Sequence, residues 1–356
     1  MRPDLTDYGS FPRREWLRSV RAVLERATDE ELGYGDGRGA LGLRLSLTSY
    51  LGRTRGVAAH ADRIVVTVGF AHALGLVCAT LRARGARRIA LEDPCHAAVR
   101  RVVAHAGLEP VVVPVDADGL DVDALADATV DAVLVTPAHQ FPTGAVLSAP
   151  RRAALLAWAE RQDALVLEDD YDAEFRYDQP PVGALQGLAP ERVAFLGSAS
   201  KTLAPALRLG WAVLPSWLVQ PVLDHVHGTI IAPPRLEQLA LADFLERGEL
   251  DRHLRRLRLR YRRRRDALVA AVGAELPRLE LEGVAAGMHV VARLPDGTDE
   301  AAALAAARAR RIALAGMSEH RFDPAAPAHP ALLLGYARAS EPALRAAVRA
   351  LAAALG

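Results

Sequence analysis

A single lysine, Lys201, stands out among the side chains that could do covalent chemistry. The sequence has 44 lysine and arginine residues, and 43 of them are arginine. Arginine can replace lysine wherever a solvated positive charge is sufficient, but it cannot lose its proton and attack a carbonyl carbon as a primary amine can. Lys201 is therefore a candidate nucleophile toward an aldehyde or ketone, and a lysine retained by chance is the alternative.

The lysine follows one of several strand-like segments that end in polar or glycine-containing sequences. Five such sequences are residues 69–71 (GFA), 92–93 (ED), 136–140 (TPAHQ), 168–171 (EDDY) and 198–201 (SASK). Ligands of open α/β sheets bind beyond the carboxyl ends of the strands, so an acidic cluster, a helix N-terminus and the lysine are expected at one edge. Backbone amides, the hydroxyls of Ser198 and Ser200, and an arginine such as Arg208 could hold a phosphate there.

This set of groups matches the needs of pyridoxal phosphate. The aldehyde of this cofactor condenses with a lysine amine, and its pyridine nitrogen needs a carboxylate that keeps it protonated. Its phenolic oxygen is commonly hydrogen-bonded by a tyrosine, and its phosphate needs hydroxyls, amides and a guanidinium. Lys201, Tyr171, the acidic residues before Tyr171 and the two serines supply these groups. The sequence therefore predicts a pyridoxal-phosphate protein.

Alternating β-rich and helical segments must position these groups. The sequence predicts strands at residues 64–69, 88–93, 110–116, 132–137, 164–170, 193–198 and 209–215, and helices at 71–84, 95–106 and 150–162. Several strands are almost continuously apolar, which is typical of strands covered on both faces. We expect an α/β fold with a mostly parallel central sheet. The link between the last two strands is too short for a helical crossover, so one of them is expected to be antiparallel.

A second unit begins at about residue 235. It contains a helical stretch at 236–272 that is interrupted near Gly248, strands at 288–294 and 332–337, and helices at 300–310 and 341–355. This order predicts a smaller α+β domain, on which a helix at 13–27 is expected to pack. The predicted division is a large pyridoxal-phosphate-binding domain at residues 30–245 and a small domain formed by residues 1–29 and 246–356.

Several motifs, in order along the chain, resemble one family. They are residues 34–39 (YGDGRG), 92–94 (EDP), 136–144 (TPAHQFPTG), 167–177 (LEDDYDAEFRY), 197–210 (GSASKTLAPALRLG) and 332–337 (LLLGYA). From about residue 11 onward the chain resembles the fold-type I pyridoxal-phosphate-dependent aminotransferases, which form the aspartate aminotransferase superfamily. It is most similar to the aminotransferase-like domain of MocR/GabR-type bacterial proteins. The resemblance implies a large cofactor-binding domain and a smaller α+β domain.

The resemblance also implies a role for each matching residue. Lys201 would form the Schiff base with the cofactor and later move protons at the substrate Cα. Asp169 would pair with the pyridine nitrogen, with Asp170 as the second choice, and Tyr171 would bond the phenolic oxygen. The other residues implied to bind the cofactor are Gly69, Phe70, Ala71, His96, Ser198, Ser200, Arg208 and Tyr34. Tyr34 would reach the phosphate from the neighbouring subunit, which implies a homodimer with composite active sites.

Two positions depart from the family's pattern. His96 stands where an aromatic residue, often tyrosine, stacks on the pyridine ring; histidine can stack and could also transfer protons near neutral pH. Leu333 stands at or next to the position where aminotransferases hold the substrate α-carboxylate with an arginine. Arg338 could substitute as a substrate ligand, and His139 and Gln140 are further candidate substrate residues.

These departures leave three functions open. The first is an aminotransferase-like enzyme acting on an amine or amino acid. The second is a pyridoxal-phosphate enzyme of specialised biosynthesis that catalyses elimination or replacement, decarboxylation or carbon–carbon bond formation. The third is a module that binds cofactor and effector without turnover. MocR/GabR-type regulators carry an N-terminal DNA-binding domain, and only about ten residues precede the matching region here, so an enzyme is expected rather than a transcription factor.

Composition favours a cytoplasmic enzyme with no nucleic-acid or membrane partner. The formal net charge is +1, and the two cysteines, Cys78 and Cys95, suit a reducing compartment. No stretch has the length and apolarity of a membrane span, and the N-terminus lacks the apolar core of a signal peptide. The basic run at residues 252–265 is interpreted as the solvated side of an amphipathic helix. No metal site is predicted, and isolated histidines such as His320 are interpreted as structural or surface residues.

Overall fold

A computed structural model describes residues 1–177, 182–229, 233–325 and 329–355. Its strands are β1 (Ile64–Thr67), β2 (Arg88–Asp93), β3 (Glu109–Asp116), β4 (Gly119–Leu120), β5 (Ala132–Val135), β6 (Leu165–Asp170), β7 (Val193–Ser198), β8 (Gly210–Val213), β9 (Glu280–Glu282), β10 (His289–Arg293), β11 (Ala315–Gly316) and β12 (Ala331–Gly335). Its helices are α1 (Arg13–Arg26), α2 (Asp29–Leu32), α3 (Leu41–Arg55), α4 (Phe70–Ala83), α5 (Ala97–His105), α6 (Val122–Ala126), α7 (Ala149–Gln162), α8 (Ser216–Thr229), α9 (Arg235–Glu246), α10 (Glu249–Glu275), α11 (Glu300–Ala309) and α12 (Glu341–Leu355).

The larger sheet contains eight strands in the order β1-β8-β7-β6-β5-β2-β3-β4. Strands β3, β2, β5, β6 and β7 pair in parallel, whereas β8 runs antiparallel to both β7 and β1. The predicted α/β fold with a mostly parallel sheet is confirmed, and so is the antiparallel pairing of the last two predicted strands. The carboxyl ends of β2, β5, β6 and β7 consequently meet at one edge of the sheet.

Helices cover both faces of the larger sheet, as the apolar strands predicted. Along β6, Leu165 and Leu167 pack in a cluster with Leu74 of α4, while Val166 packs in a second cluster with Trp158 of α7. Successive side chains of a strand point to opposite faces. The same alternation, carried to the end of β6, decides which of its acidic residues face the ligand edge.

The smaller sheet is antiparallel and has the order β11-β12-β10-β9. Helices α10 and α12 pack against each other and share a core with β10 and β12. The basic helix α10 is amphipathic as predicted, because its buried residues include Leu250, Leu254, Leu257, Tyr261 and Leu268. The predicted α+β unit is confirmed, and the interruption at Gly248 separates α9 from α10.

Most predicted elements lie within a few residues of the observed ones, but the long helices α3 and α8 were not predicted. For α3 the reason lies in its leucines. Leu41, Leu43, Leu45 and Leu47 recur at every second residue, a spacing typical of a strand. In the helix, two of these four leucines, Leu43 and Leu47, are buried four residues apart, while Leu41 and Leu45 are exposed. The predicted domain boundary at 245/246 falls just before Glu246, the last residue of α9, and stays a prediction. Among the described residues, no helix combines the length and apolarity needed to cross a membrane.

Candidate active site

Lys201 lies just beyond β7, at the edge where the parallel strands end. Its side chain is half-buried, and its Nζ donates a hydrogen bond to the backbone oxygen of Asp4 at 2.6 Å. Burial lowers the pKa of the Lys201 amine, and the negative charges of Asp4, Asp172 and Asp169 oppose this change. The lysine is thus held among carboxylates in a place that favours the neutral amine.

Two adjacent carboxyl groups at the end of β6 face different surroundings. Asp170 accepts a hydrogen bond from Arg55 Nε at 2.6 Å, and both side chains are almost fully buried. Asp169 lies on the opposite face of the strand, half-buried, with no hydrogen bond to another described residue. Burial raises the pKa of Asp169 well above its usual value, and the neighbouring charges of Asp170, Asp172 and Glu92 raise it further. Of the two, only Asp169 is available to a cationic ligand.

A third acid, Glu92, lies between the ends of β2 and β5 and forms the floor of the site. It accepts hydrogen bonds from Thr136 Oγ1 at 2.6 Å and from Gln140 Nε2 at 3.2 Å. Burial raises the pKa of Glu92 to about 7 despite these hydrogen bonds. Gln140 is also buried and engaged at both ends of its amide, because Nε2 donates to Pro94 O and Oε1 accepts from Thr143. Gln140 therefore links Glu92, Pro94 and Thr143 through hydrogen bonds, and its contact with substrate stays a prediction.

The residues predicted to hold the phosphate lie around the start of α4. Gly69 precedes α4 with φ of +90°, and a Cβ on Gly210 would lie 2.7 Å from Gly69 Cα. This close approach brings Phe70 and Ala71, at the helix N-terminus, next to the end of β7. There the Ser198 hydroxyl donates to Ser200 Oγ at 2.8 Å. The amides at a helix N-terminus and two hydroxyls form a cradle of the kind that suits an anion.

Arg208, also predicted to bind the phosphate, lies in the turn that precedes β8. Its backbone is left-handed, with φ of +52°, and its side chain is exposed. Burial lowers the pKa of His72, in the first turn of α4, and the positive charge of Arg208 lowers it further. The charge of the Arg208 guanidinium is therefore felt at the N-terminus of α4, close to Ser198 and Ser200.

Tyr171 and His139 meet above the acidic residues. The hydroxyl of Tyr171 lies 3.0 Å from Nδ1 of His139, and the same nitrogen lies 2.9 Å from Oδ2 of Asp172. All three side chains crowd the region between β5 and β6, and burial raises the pKa of Tyr171 well above its usual value. Tyr171 and His139 were predicted from the sequence as site residues, but Asp172, which orients the imidazole ring, was not.

Phe141 is the centre of a cluster of rings that sequence reasoning did not assemble. The centroid of its ring lies 5.4 Å from His96, 5.4 Å from His289 and 5.0 Å from His320. His289 starts β10 and His320 lies in the loop between β11 and β12, so both come from the smaller α+β unit. The interpretation of His320 as an isolated structural residue was incomplete, because spacing along the chain carries no signal for this tertiary contact.

Two predicted residues lie apart from this group. Tyr34 is fully exposed, and Arg338 is exposed beyond β12, where its charge lowers the pKa of the Met1 amine in addition to the effect of burial. Leu333, at or next to the position of the family's carboxylate-binding arginine, is fully buried between Val291 and Ala315 in the smaller sheet. The contacts of Tyr34 and Arg338 with cofactor or substrate stay predictions.

Comparison with known proteins places this arrangement in context. The family model for aminotransferase class I and II matches residues 7–325. The probable rhizopine catabolism regulatory protein MocR of Rhizobium meliloti is 30% identical over 351 residues, which are 98% of this chain and 71% of that protein. Aromatic-amino-acid aminotransferase 1 of Thermococcus litoralis is 29% identical over 309 residues, which are 83% of this chain and 73% of that protein.

A solved structure supports the same fold. The crystal structure of kynurenine aminotransferase from Pyrococcus horikoshii, in complex with PMP, superposes with a TM-score of 0.89. The match covers 99% of this chain and 89% of that one at 24% sequence identity. The predicted fold type I is thereby confirmed, with its large sheet, its smaller α+β unit and the lysine at the edge between them.

Proposed function

Because the chain belongs to the aminotransferase class I and II family, whose cofactor is pyridoxal phosphate, we propose that it is a transferase in which Lys201 forms the Schiff base. Its substrate is an amine or an amino acid. The observation that carries the proposal is that the chain's single lysine lies half-buried beside Asp169 at the ligand edge of the sheet.

The residues at this edge fit the cofactor. The half-buried carboxyl of Asp169 has no hydrogen-bond partner among the described residues, and a protonated pyridine nitrogen would satisfy it. The cradle formed by the α4 terminus, Ser198, Ser200 and Arg208 suits a phosphate. When bound, the cofactor supplies an aldehyde that holds the substrate amine and a ring that accepts the electrons released at the substrate Cα.

The side chains around Lys201 have distinct tasks in this proposal. Lys201, whose pKa is lowered by burial, moves the proton at the substrate Cα as a general base and acid. Asp172 holds the His139 ring by its Nδ1, so the ring stays fixed beside the Tyr171 hydroxyl. With the cofactor bound, Tyr171 would donate a hydrogen bond to the phenolic oxygen, and Asp169 would stabilise positive charge on the ring nitrogen. His96 and Phe141 enclose the site and exclude water.

We also propose a homodimer with composite active sites. Tyr34 is fully exposed, and Leu32 and Leu41 on either side of it in the chain are exposed too. Apolar and aromatic side chains left exposed together are typical of a surface that another protein covers. Tyr34 of one subunit would then contribute its hydroxyl to the phosphate site of the other.

Lys201→Arg tests the proposal directly. The purified wild-type protein is expected to gain visible absorbance when it is given pyridoxal phosphate, because the ε-amine condenses with the aldehyde. Lys201→Arg keeps the positive charge but cannot condense, so this absorbance should be absent while apo-protein stability changes little. Unchanged absorbance in the variant would contradict the proposed role of Lys201.

Transamination is the reaction that the family membership supports best. In an absorbance assay with amines, transamination converts the cofactor to its amine form and stops unless an acceptor is added. Elimination, replacement, decarboxylation or carbon–carbon bond formation would regenerate the aldehyde form. The apolar Leu333 at or next to the usual arginine position is the feature that keeps these alternatives in view.

A sensing module is the second candidate, and the similarity to the regulatory protein MocR favours it. A sensor binds the amine and changes the cofactor's spectrum without forming product. Chromatographic analysis for a keto or aldehyde product, with equal amounts of protein and amine, separates the two functions. Stoichiometric product supports the enzyme, and a spectral change without product supports the sensor.

A further inference from the structure

His320 is a buried imidazole without a hydrogen bond. Its residue is 8% exposed, and neither Nδ1 nor Nε2 has a partner among the described residues. Buried polar side chains nearly always have a hydrogen-bond partner, because leaving one unpaired destabilises the folded chain. Both ring nitrogens of His320 therefore remain available to a group from outside the chain.

The surroundings of His320 are neutral rings. Its ring stands edge-on to Phe141 at 5.0 Å, with an interplanar angle of 89°, and lies 6.1 Å from His96. Burial lowers the pKa of His289 and of His320 to about 4 each, and burial also lowers that of His96. Phe141 and the three imidazoles of His96, His289 and His320 form one wall of rings, and its imidazoles are thus uncharged at neutral pH.

The other histidines of the wall have their own hydrogen bonds. His289 donates through Nε2 to the backbone oxygen of Pro142 at 2.9 Å. His96 accepts from the backbone N–H of Ala98 through Nδ1 at 3.1 Å. The charge of Lys201 acts on both of these rings, which places them beside the reacting amine. His320 contacts both Phe141 and His96, so it borders the same group of rings from the side of the smaller unit.

We propose that His320 binds an uncharged polar group of the substrate, a hydroxyl or a carboxamide, at the end remote from the amine. The inference rests on the proposed function of the site and adds the class of substrate to it. A neutral imidazole offers one N–H donor and one nitrogen acceptor. A hydroxyl or a carboxamide presents both a donor and an acceptor in return, whereas a carboxylate presents acceptors alone.

The charges near His320 support an uncharged partner. Arg2 and Arg100 contribute to the lowered pKa of His320, but each is engaged elsewhere. Arg2 pairs with Asp4 at 3.3 Å, and Arg100 donates to the backbone oxygens of Glu319 and Arg321. A carboxylate buried against this wall would lack the bidentate guanidinium that usually compensates for its desolvation.

Isosteric ligand pairs test the preference in the holoenzyme. Asparagine is compared with aspartate, and glutamine with glutamate, by titrating the visible spectrum of the bound cofactor. We expect the amide of at least one pair to bind at least tenfold more tightly than its acid. His320→Phe should remove this tenfold difference, and His320→Asn, which keeps a donor and an acceptor, should retain part of it. Preference for both acids, or an unchanged amide preference in His320→Phe, would overturn the inference.

Thermal unfolding of the apo-protein supplies a second readout that does not depend on activity. His320→Phe removes two unpaired nitrogens and keeps a flat ring, so its melting temperature should rise. His289→Phe is the matched control: it removes a hydrogen bond to Pro142, so its melting temperature should fall. A fall for both variants would mean that the ring of His320 is structural. A protein that takes up no cofactor would overturn the proposed function and this inference with it, whereas normal uptake without the amide preference overturns the inference alone.

Discussion

Exchanging each carboxyl group at the end of β6 for an amide separates a ligand-binding residue from a structural one. Asp170→Asn leaves Arg55 buried without its charged partner, and breaking a buried ion pair in this way costs about 3–5 kcal/mol. The lower value applies here, since Glu168 and Glu174 also act on Arg55. Unfolding entropy is about 2.1 cal/mol/K per residue, so for 356 residues a loss of about 3 kcal/mol lowers the melting temperature by about 4 °C.

Asp169→Asn should leave the stability of the apo-protein almost unchanged and should instead impair the reaction. The Asp169 carboxyl has no hydrogen-bond or ion-pair partner among the described residues, and burial raises its pKa well above the usual value, so an amide of the same shape should change the melting temperature by about 1 °C or less. Once the cofactor is bound, an amide cannot stabilise a protonated pyridine nitrogen, so the rate with any accepted amine should fall about 100-fold or more.

The assay is a thermal melt of both apo-variants at pH 7, followed by cofactor titration and rate measurement below the melting temperature. Asp170→Asn should melt early yet show the wild-type spectrum. If Asp170→Asn were the variant with the altered spectrum and rate, and Asp169→Asn the one that melts early, the assignment by strand alternation would be refuted.

Two further changes test the cradle and the floor of the site. Gly210→Ala places a Cβ against the backbone of Gly69, so the N-terminus of α4 must shift. The affinity for pyridoxal phosphate, measured by equilibrium dialysis, should then fall about tenfold. Gly42→Ala is the control: nothing lies near its Cβ, so this affinity should stay unchanged. Glu92 has a pKa of about 7 in the folded chain against about 4.5 when unfolded, so its contribution to stability is present at low pH and is lost as the pH rises from about 4.5 to 7. Glu92→Gln should therefore gain up to about 3 kcal/mol relative to wild type between pH 5 and pH 8 in urea unfolding, and a constant difference would contradict the raised pKa.

Residues close together in sequence were the ones that sequence reasoning could place. The apolar run of β6 identified a strand buried on both faces, and the polar residues after it had to lie at the ligand edge. Family resemblance then selected Asp169 over Asp170, and strand alternation explains that choice, because Asp170 faces Arg55 of α3. The partner itself was not predicted, since the helix that carries it has leucines at strand-like spacing.

The wall formed by residues of the smaller unit could not be predicted. His289 and His320 reach Phe141 only because β10 and the loop before β12 are packed against the larger sheet. Contacts between residues about 150 positions or more apart leave no periodic signal, and neither histidine lies in a motif. Arg338, proposed from its nearness to Leu333 in sequence, is exposed beyond the strand, because five residues bring it past the end of β12.

The single, half-buried ε-amine of Lys201 determines which side chain an aldehyde can modify in this protein. In most proteins, reactive aldehydes are captured first by the many lysines at the surface, and a specific site must compete with them. Here Lys201 is the one side-chain amine, and the other 43 residues of the lysine and arginine total carry guanidinium groups, which stay protonated and do not condense. The amino-acid composition alone thus makes Lys201 the side chain that forms imines with carbonyl compounds, before any binding takes place. Reductive trapping should modify one side chain per polypeptide.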